Sequence, residues 1–145
     1  MLTKLGRWIR AAGYDAHLER QSRPDKEIFL QALRENRLLI TRDKHFIHMK
    51  GYEECVLWIR SNDLESSVRE LKEMIGIDWL MDPFSRCLKC NEKFVEANEE
   101  DLATVPSYIL NSSKTFWKCP ECRKVYWEGS HTISMLERLT LWKNG

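Results

Sequence analysis

The chain has 145 residues, and its 23 Lys and Arg residues nearly balance its 22 Asp and Glu residues, giving a formal net charge of +1. This balance excludes a protein that binds nucleic acid through strong overall positive charge, so any phosphate contact must come from a local cluster. No apolar run approaches the roughly 20 residues that span a bilayer, and the chain does not open with a signal-peptide core. We therefore expect a cytoplasmic protein without membrane contact.

The first predicted element is an amphipathic helix over residues 3–12. Its apolar stripe follows the i, i+3, i+4, i+7 spacing and consists of Leu5, Trp8, Ile9 and Ala12. Another face carries Lys4, Arg7 and Arg10. These cations are either an ordinary solvated face or, if that face borders a ligand site, contacts to the phosphates of a nucleic acid.

Helices and short apolar strands then alternate along the chain. We predict strands near residues 16–18, 38–41 and 56–59, and we expect the last two to be buried because they show little polar alternation. One helix is predicted to start at Pro24, and another at Asp63, which can cap a helix that ends at Gly76. This alternation predicts an α/β fold with a parallel sheet and right-handed crossovers.

Acidic residues follow each predicted strand. Asp25 and Glu27 follow the first strand, Asp43 the second and Asp63 the third. The carboxyl ends of parallel strands form the ligand crevice of an open sheet, and clustered carboxylates suit Mg²⁺ or Mn²⁺. Such ions could activate a water for phosphodiester cleavage. The plainer interpretation is that Asp63 only caps its helix and that Asp25 and Glu27 are solvated first-turn acids.

Two Cys-x-x-Cys pairs stand out in the second half of the chain. They are Cys87 with Cys90 and Cys119 with Cys122, and 28 residues separate the pairs. Four sulfurs in this pattern suit a structural Zn²⁺, or iron, which also takes tetrahedral sulfur. Disulfides or a redox dithiol are the alternatives, but disulfides need an oxidising compartment and a redox motif usually has one pair. The fifth cysteine, Cys55, is expected to be a small buried hydrophobe.

Pro83 marks the predicted boundary between a first domain, residues 1–83, and a second domain, residues 84–145. Short strands flanking the cysteine pairs are predicted at residues 94–95, 115–118 and 125–127. Helical pieces in the long gap are predicted at residues 99–103 and 106–110. Ser130 is predicted to cap a last helix. The second domain therefore has the expected layout of a zinc ribbon followed by a helix.

Several stretches, spread nearly end to end and in order, are similar to a known family. They are residues 1–10 (MLTKLGRWIR), 12–15 (AGYD), 39–43 (LITRD), 86–91 (RCLKCN), 105–106 (VP), 119–122 (CPEC) and 125–131 (VYWEGSH). In these motifs the chain resembles the Mut-seven C-terminal ribonuclease domain family, which joins a PIN-like nuclease fold to a zinc ribbon. The resemblance implies a metal-dependent endoribonuclease that acts on RNA. By position, Asp43 is the best match to a catalytic acid, followed by Asp25 and then by Glu27 and Asp63.

One feature departs from that family. Its members usually begin with a strand ending in an Asp, placed just before the helix that starts here at Met1. We expect this first strand and its acid to be missing, either because the true start lies upstream or because the strand has been lost. A sheet without it would have exposed edges and one metal ligand fewer. Two hypotheses result: a Mg²⁺- or Mn²⁺-dependent endoribonuclease, or a non-catalytic adaptor that binds RNA or protein.

Overall fold

A computed structural model describes residues 2–145 and gives a mixed α/β fold. The helices in this part of the chain are α1 (Leu2–Ala11), α2 (Asp25–Arg34), α3 (Leu64–Ile75), α4 (Glu99–Leu102), α5 (Ser107–Ser112) and α6 (Ser130–Asn144). The strands are β1 (Leu39–Thr41), β2 (Val56–Trp58), β3 (Val95–Glu96), β4 (Phe116–Lys118) and β5 (Val125–Trp127). Two 3₁₀ helices, Lys44–His48 and Tyr52–Glu54, lie between β1 and β2.

The chain divides into two compact units. The first contains residues 18–77 together with the first residues of α1, and the second contains residues 6–17 together with residues 78–145. The second unit therefore includes most of α1 as well as the cysteine-rich segment. The domain boundary predicted after Pro83 stays a prediction.

The first unit contains a parallel sheet formed by β1 and β2, as the alternation of helices and strands predicted. The register runs from Leu39 opposite Val56 to Thr41 opposite Trp58. Both strands were predicted to be buried, and this is only partly correct. Residues 39–40 and 56–58 are half-buried and Leu38 is exposed, whereas Thr41 and Ile59 are buried. The reason is that over residues 2–145 this sheet has two strands, so each of them is an edge strand.

The core of the first unit is a cluster of Phe29, Ala32, Phe46 and Cys55. Burial of an aromatic side chain of this kind contributes about 1.5–3 kcal/mol to the free energy of unfolding. Cys55 is 4% exposed, which confirms the predicted buried hydrophobe.

Helix α3 begins and ends where the sequence predicted. The Asp63 side chain accepts a hydrogen bond from Ser66 N, 2.9 Å away, and so satisfies one of the free N–H groups of the first turn. Gly76 follows the helix in the left-handed region, with a φ of 60°, and its N–H closes the last turn on Lys72 O. These two caps define the two ends of α3.

The second unit contains an antiparallel sheet with the order β3-β4-β5. Its register places Val95 opposite Lys118 and Phe116 opposite Trp127. All three strands and the two short helices α4 and α5 form where they were predicted. The predicted cap of α6 is wrong, because Ser130 is already the first helical residue.

The N-cap of α6 is Gly129, whose N–H donates to Thr132 Oγ1 at 2.9 Å. Two tryptophans of the second unit pack against Trp142 of this helix. Trp142 makes edge contacts with Trp8 and Trp79, with ring centroids 4.8 and 5.1 Å apart. Trp79 is fully buried. Such aromatic pairs contribute about 0.5–1.5 kcal/mol beyond the apolar area that they bury.

The segment after α1 has no strand, so the strand predicted near residues 16–18 is wrong. The backbone N–H of Ala16 does not pair with a strand. It donates to the Asn91 side chain, with Ala16 N 3.0 Å from Asn91 Oδ1. Gly13 allows the chain to turn here, with a φ of 101°. A Cβ atom at this position would overlap the carbonyl oxygen of Asp82, so glycine is required for space as well as for its φ.

Candidate metal centre and candidate active site

Each cysteine pair forms the same tight turn. Asn91 N donates to Cys87 O and Arg123 N donates to Cys119 O, both at 2.8 Å. Asn91 and Arg123 lie in the left-handed region, with φ values of 74° and 59°. In the first turn the amide of Cys90 also points toward Cys87 Sγ, 3.4 Å away. The local backbone therefore sets both sulfurs of each pair on one side of its turn.

The two turns bring the four predicted cysteines together. The sulfurs of Cys87, Cys90, Cys119 and Cys122 all lie within 4.8 Å of one another. Cys87 Sγ and Cys122 Sγ are 3.9 Å apart, close to the roughly 3.8 Å that tetrahedral zinc with 2.3 Å bonds requires. A disulfide would need about 2.05 Å, and all four cysteines are free. The cluster therefore fits a zinc site.

The thiols of Cys90, Cys119 and Cys122 have shifted pKa values. Burial, with hydrogen bonds to neighbouring thiols, raises the pKa of Cys90 to about 12, and burial also raises that of Cys119. Burial alone would raise the pKa of Cys122 as well, but donation from Lys124 N and other neighbours lowers it to about 6. A divalent cation would supply the positive charge that four clustered thiolates, two of them buried, need.

The Tyr126 hydroxyl lies beside this cluster, 3.4 Å from Cys87 Sγ and 3.8 Å from Cys122 Sγ. Burial, together with its bonds to these two sulfurs, raises the pKa of Tyr126, so the phenol keeps its proton and can donate it. Donors of this kind orient metal ligands and offset their charge. The sequence pointed to the four sulfurs but did not single out this tyrosine for them.

Arg10 fixes the first cysteine turn to the segment that follows α1. It is 4% exposed, its Nε donates to Ala16 O at 2.8 Å, and its Nη1 donates to Leu88 O and Lys89 O, both at 2.9 Å. Sequence reasoning grouped Arg10 with Lys4 and Arg7 as an RNA-binding face. Lys4 and Arg7 are exposed, whereas Arg10 is occupied by backbone carbonyls. RNA contact by these three residues stays a prediction.

A second candidate site lies at the carboxyl edge of the parallel sheet in the first unit. Ile59 N donates to Thr41 O at 2.8 Å, which extends the pairing past the end of β2. The guanidinium of Arg42 then donates to Asn62 Oδ1. Arg42 directly precedes Asp43, and Asn62 directly precedes Asp63. Each of the two carboxylates therefore belongs to a residue next to this hydrogen bond.

Both of these carboxylates are exposed and also serve as local caps. Asp43 Oδ1 accepts from His45 N at 2.8 Å and starts the 3₁₀ helix Lys44–His48. Hydrogen bonds from Ser66 lower the pKa of Asp63, so this carboxylate is ionised at neutral pH. The plainer interpretation of Asp63 as a helix cap is thus confirmed, and the structure shows that Asp43 is a cap as well. It leaves room for a second role, because exposed carboxylates remain accessible to a cation.

Asp25 and Glu27 lie in the first turn of α2, where acidic groups complement the helix dipole. Arg23 Nε is 3.8 Å from Glu27 Oε2. Over residues 2–145, the four cysteines form a set of three or more metal-ligating groups within 4.8 Å, and the four predicted acids do not. A shared site of Asp25, Glu27, Asp43 and Asp63 stays a prediction.

The family comparison covers nearly the whole chain. A family model described as the Mut7-C RNAse domain matches residues 1–139. The chain belongs to the Mut7-C RNAse domain family. Membership in the Mut7-C family suggests a ribonuclease-type function, with RNA as the substrate. The family match contains both the cysteine cluster and the acids of the sheet edge.

Searches of the curated proteins and of the solved structures gave no match. Among the residues that the structure describes, no helix combines the length and the apolar character needed to cross a membrane.

Proposed function

We propose that this chain is a metal-dependent endoribonuclease that hydrolyses RNA phosphodiester bonds at the carboxyl edge of a PIN-like sheet, with the zinc ribbon as a structural module. The family match over residues 1–139 is the observation that carries the proposal. The placement of Asp43 and Asp63 after two hydrogen-bonded residues of that edge supports it. The reduced cysteines that a zinc site needs favour the cytoplasm.

The acids of the sheet edge are the groups that would hold the catalytic metal. Asp43 and Asp63 are exposed carboxylates, and oxygen donors of this type suit Mg²⁺ or Mn²⁺. Asp25 and Glu27 are the next candidates on family grounds. The bound metal would lower the pKa of a coordinated water and stabilise charge on the leaving oxygen. Hydrogen bonds from Ser66 lower the pKa of Asp63 and keep this carboxylate ionised.

The exposed cations of α1 would position the RNA. Lys4 and Arg7 are exposed and can contact phosphates, which fix the position of a nucleic acid without reading its sequence. Arg10 would act indirectly, because its bonds to Leu88 O and Lys89 O hold the first cysteine turn.

The test is cleavage of a fluorescent single-stranded RNA by the purified protein with Mn²⁺, with Mg²⁺ and without added divalent metal, since a chelator would also remove the structural zinc. We expect cleavage with metal, none without it, and a loss of about 100-fold or more in Asp43→Asn, which removes one anionic ligand. Glu53→Gln is the matched control, since Glu53 is an exposed acid of the same unit. Equal cleavage by Asp43→Asn and Glu53→Gln would contradict the proposal.

The alternative is a non-catalytic adaptor that binds RNA or protein. It is favoured by the finding that, over residues 2–145, only the cysteines come together as a potential metal-binding group. An adaptor would bind RNA or a protein without added divalent metal and would leave RNA intact in Mn²⁺. The cleavage assay with its control without added metal therefore separates the two functions.

A further inference from the structure

Two cations are held over the indole ring of Trp58, the last residue of β2. Lys44 Nζ lies 5.3 Å from the ring centroid, and the guanidinium carbon of Arg60 lies 5.1 Å from it. Both distances are within the roughly 6 Å over which an aromatic face attracts a cation. Lys44 directly follows Asp43, and Arg60 lies three residues before Asp63. The cations therefore lie close in sequence to the acids proposed to hold the metal.

Hydrogen bonds hold both the Trp58 ring and the backbone of Arg60 in place. The indole Nε1 of Trp58 donates to Arg42 O at 3.2 Å, which orients the ring. The Glu70 carboxylate accepts from Arg60 N at 3.0 Å, from Ser61 N at 3.1 Å and from Ser61 Oγ at 2.7 Å. The backbone that carries Arg60 is therefore held in place while its side chain stays exposed.

A cleft of about 500 Å³ opens beside Trp58 and Arg60, and its lining also includes Arg69, Glu70 and Glu73. The Glu70 carboxylate is turned toward its donors Arg60 N and Ser61, whereas Arg60 and Arg69 are exposed. A volume of this size is in the range of small-ligand sites and would accept a short stretch of extended chain. Together with Lys44, which lies over the same ring, three cations stand near Trp58 against the two acids of the lining, so the formal charge of this surface is +1.

We propose that Lys44, Arg60 and Arg69, arranged around Trp58, bind the phosphate backbone of single-stranded RNA next to Asp43 and Asp63. This inference rests on the ribonuclease function proposed above and names the surface by which the substrate is held. Single-stranded RNA fits because cations that follow a backbone, combined with an aromatic ring, are the usual elements of single-strand binding. Trp58 places the cations, and its half-buried ring leaves an edge against which a base can pack.

The experiment is fluorescence anisotropy with a short, labelled, mixed-sequence RNA in buffer without added Mg²⁺ or Mn²⁺, so that metal-dependent cleavage does not interfere and the structural zinc is kept. We expect Lys44→Ala, Arg60→Ala and Arg69→Ala each to weaken binding roughly 3- to 10-fold at low salt. Each lost phosphate contact should also reduce the slope of log K against log salt by about 0.7. The matched controls are Lys50→Ala and Arg34→Ala, exposed cations of the same unit that do not line the cleft.

The aromatic ring is tested separately. Trp58→Leu should weaken binding at least 10-fold, because it removes both the platform for the cations and the packing surface. Trp58→Phe should restore part of the affinity, and thermal unfolding of both variants shows whether the sheet is intact. A matched RNA duplex bound as tightly as the single strand would overturn the proposal.

The outcomes separate this inference from the proposed function. One outcome is that the wild type cleaves RNA while Lys44→Ala, Arg60→Ala and Arg69→Ala bind it as tightly as the control variants do. In that case the RNA binds elsewhere, and only the proposed binding surface is wrong. If the wild type neither binds nor cleaves RNA, both proposals fail. The inference is supported if Lys44→Ala, Arg60→Ala and Arg69→Ala bind RNA more weakly than the controls and show a smaller slope of log K against log salt. This holds whether or not cleavage is observed.

Discussion

The cysteine cluster and the carboxyl edge of the sheet are two sites built by opposite means. In the cluster, each turn places two ligands within four residues, and the two turns supply all four sulfurs. At the sheet edge, Asp43 and Asp63 are 20 residues apart and depend on the register of β1 against β2. In a site made of local pairs, the sequence spacing within each pair determines most of the ligand geometry. In a site at a sheet edge, the tertiary fold determines which residues lie close together.

The largest effect should come from removing a sulfur. Cys119→Ser takes one ligand from the cluster, and we expect loss of zinc and a cost of more than about 4 kcal/mol to folding of the ribbon. Metal analysis and thermal unfolding measure both quantities. Cys55→Ala is the control, because Cys55 is a buried cysteine outside the cluster and should keep its zinc. Retention of one zinc per chain by Cys119→Ser would show that the cluster does not bind the metal through four sulfurs.

The next effect separates the two roles of Asp63. Asp63→Ser keeps an N-cap, since Ser is a good cap, but removes the carboxylate proposed to hold metal. We expect the melting temperature to stay near that of the wild type while metal-dependent cleavage falls about 100-fold. Asp63→Ala should lose cleavage and also melt at a lower temperature. If Asp63→Ser cleaves RNA normally, Asp63 is a cap and nothing more.

The cysteine site was predictable from sequence because spacing alone determines which atoms one metal can reach. The strands β1 and β2 and the caps Asp63 and Gly76 were predictable for a similar reason, since apolar runs and capping residues act locally. The segment around Ala16 was not, because its backbone is bonded to Asn91, which is 75 residues away. The contacts of Trp58, Tyr126 and Arg10 also depend on distant parts of the chain, so no local pattern pointed to their roles.

A smaller effect is expected at Arg10, where the cysteine turn depends on a distant residue. Arg10→Lys keeps the charge but cannot make the separate bonds to Ala16 O and to the carbonyls of the first turn. We expect a cost of about 2 kcal/mol to the free energy of unfolding and faster loss of zinc to a chelator. The control is Arg7→Lys, an exposed position on the same helix. Equal zinc release by the two variants would mean that Arg10 does not support the site.

The smallest effect concerns Glu70, which holds the backbone beside Trp58. Burial alone would raise the pKa of Glu70, but hydrogen bonds from Arg60 N and from Ser61, with the charge of Arg60, lower it below its ordinary value of 4.5. A lowered pKa in the folded state stabilises the protein above the unfolded value, and this stabilisation disappears as the pH falls through the folded value. Glu70→Gln should therefore cost about 1 kcal/mol at pH 7, because only the carboxylate can accept all three bonds.

Urea unfolding at pH 7 and at pH 3 provides the measurement. The difference in the free energy of unfolding between wild type and Glu70→Gln should be smaller at the lower pH, because the wild-type carboxyl takes up a proton as the pH falls and then resembles the amide. Glu73→Gln, an exposed change on the same helix, should show no cost at either pH. If Glu70→Gln lowers the free energy of unfolding by the same amount at both pH values, packing and not charge holds this loop. In that case the position of Arg60 over Trp58 would depend on the ring alone, and Trp58→Leu would be the variant that releases it.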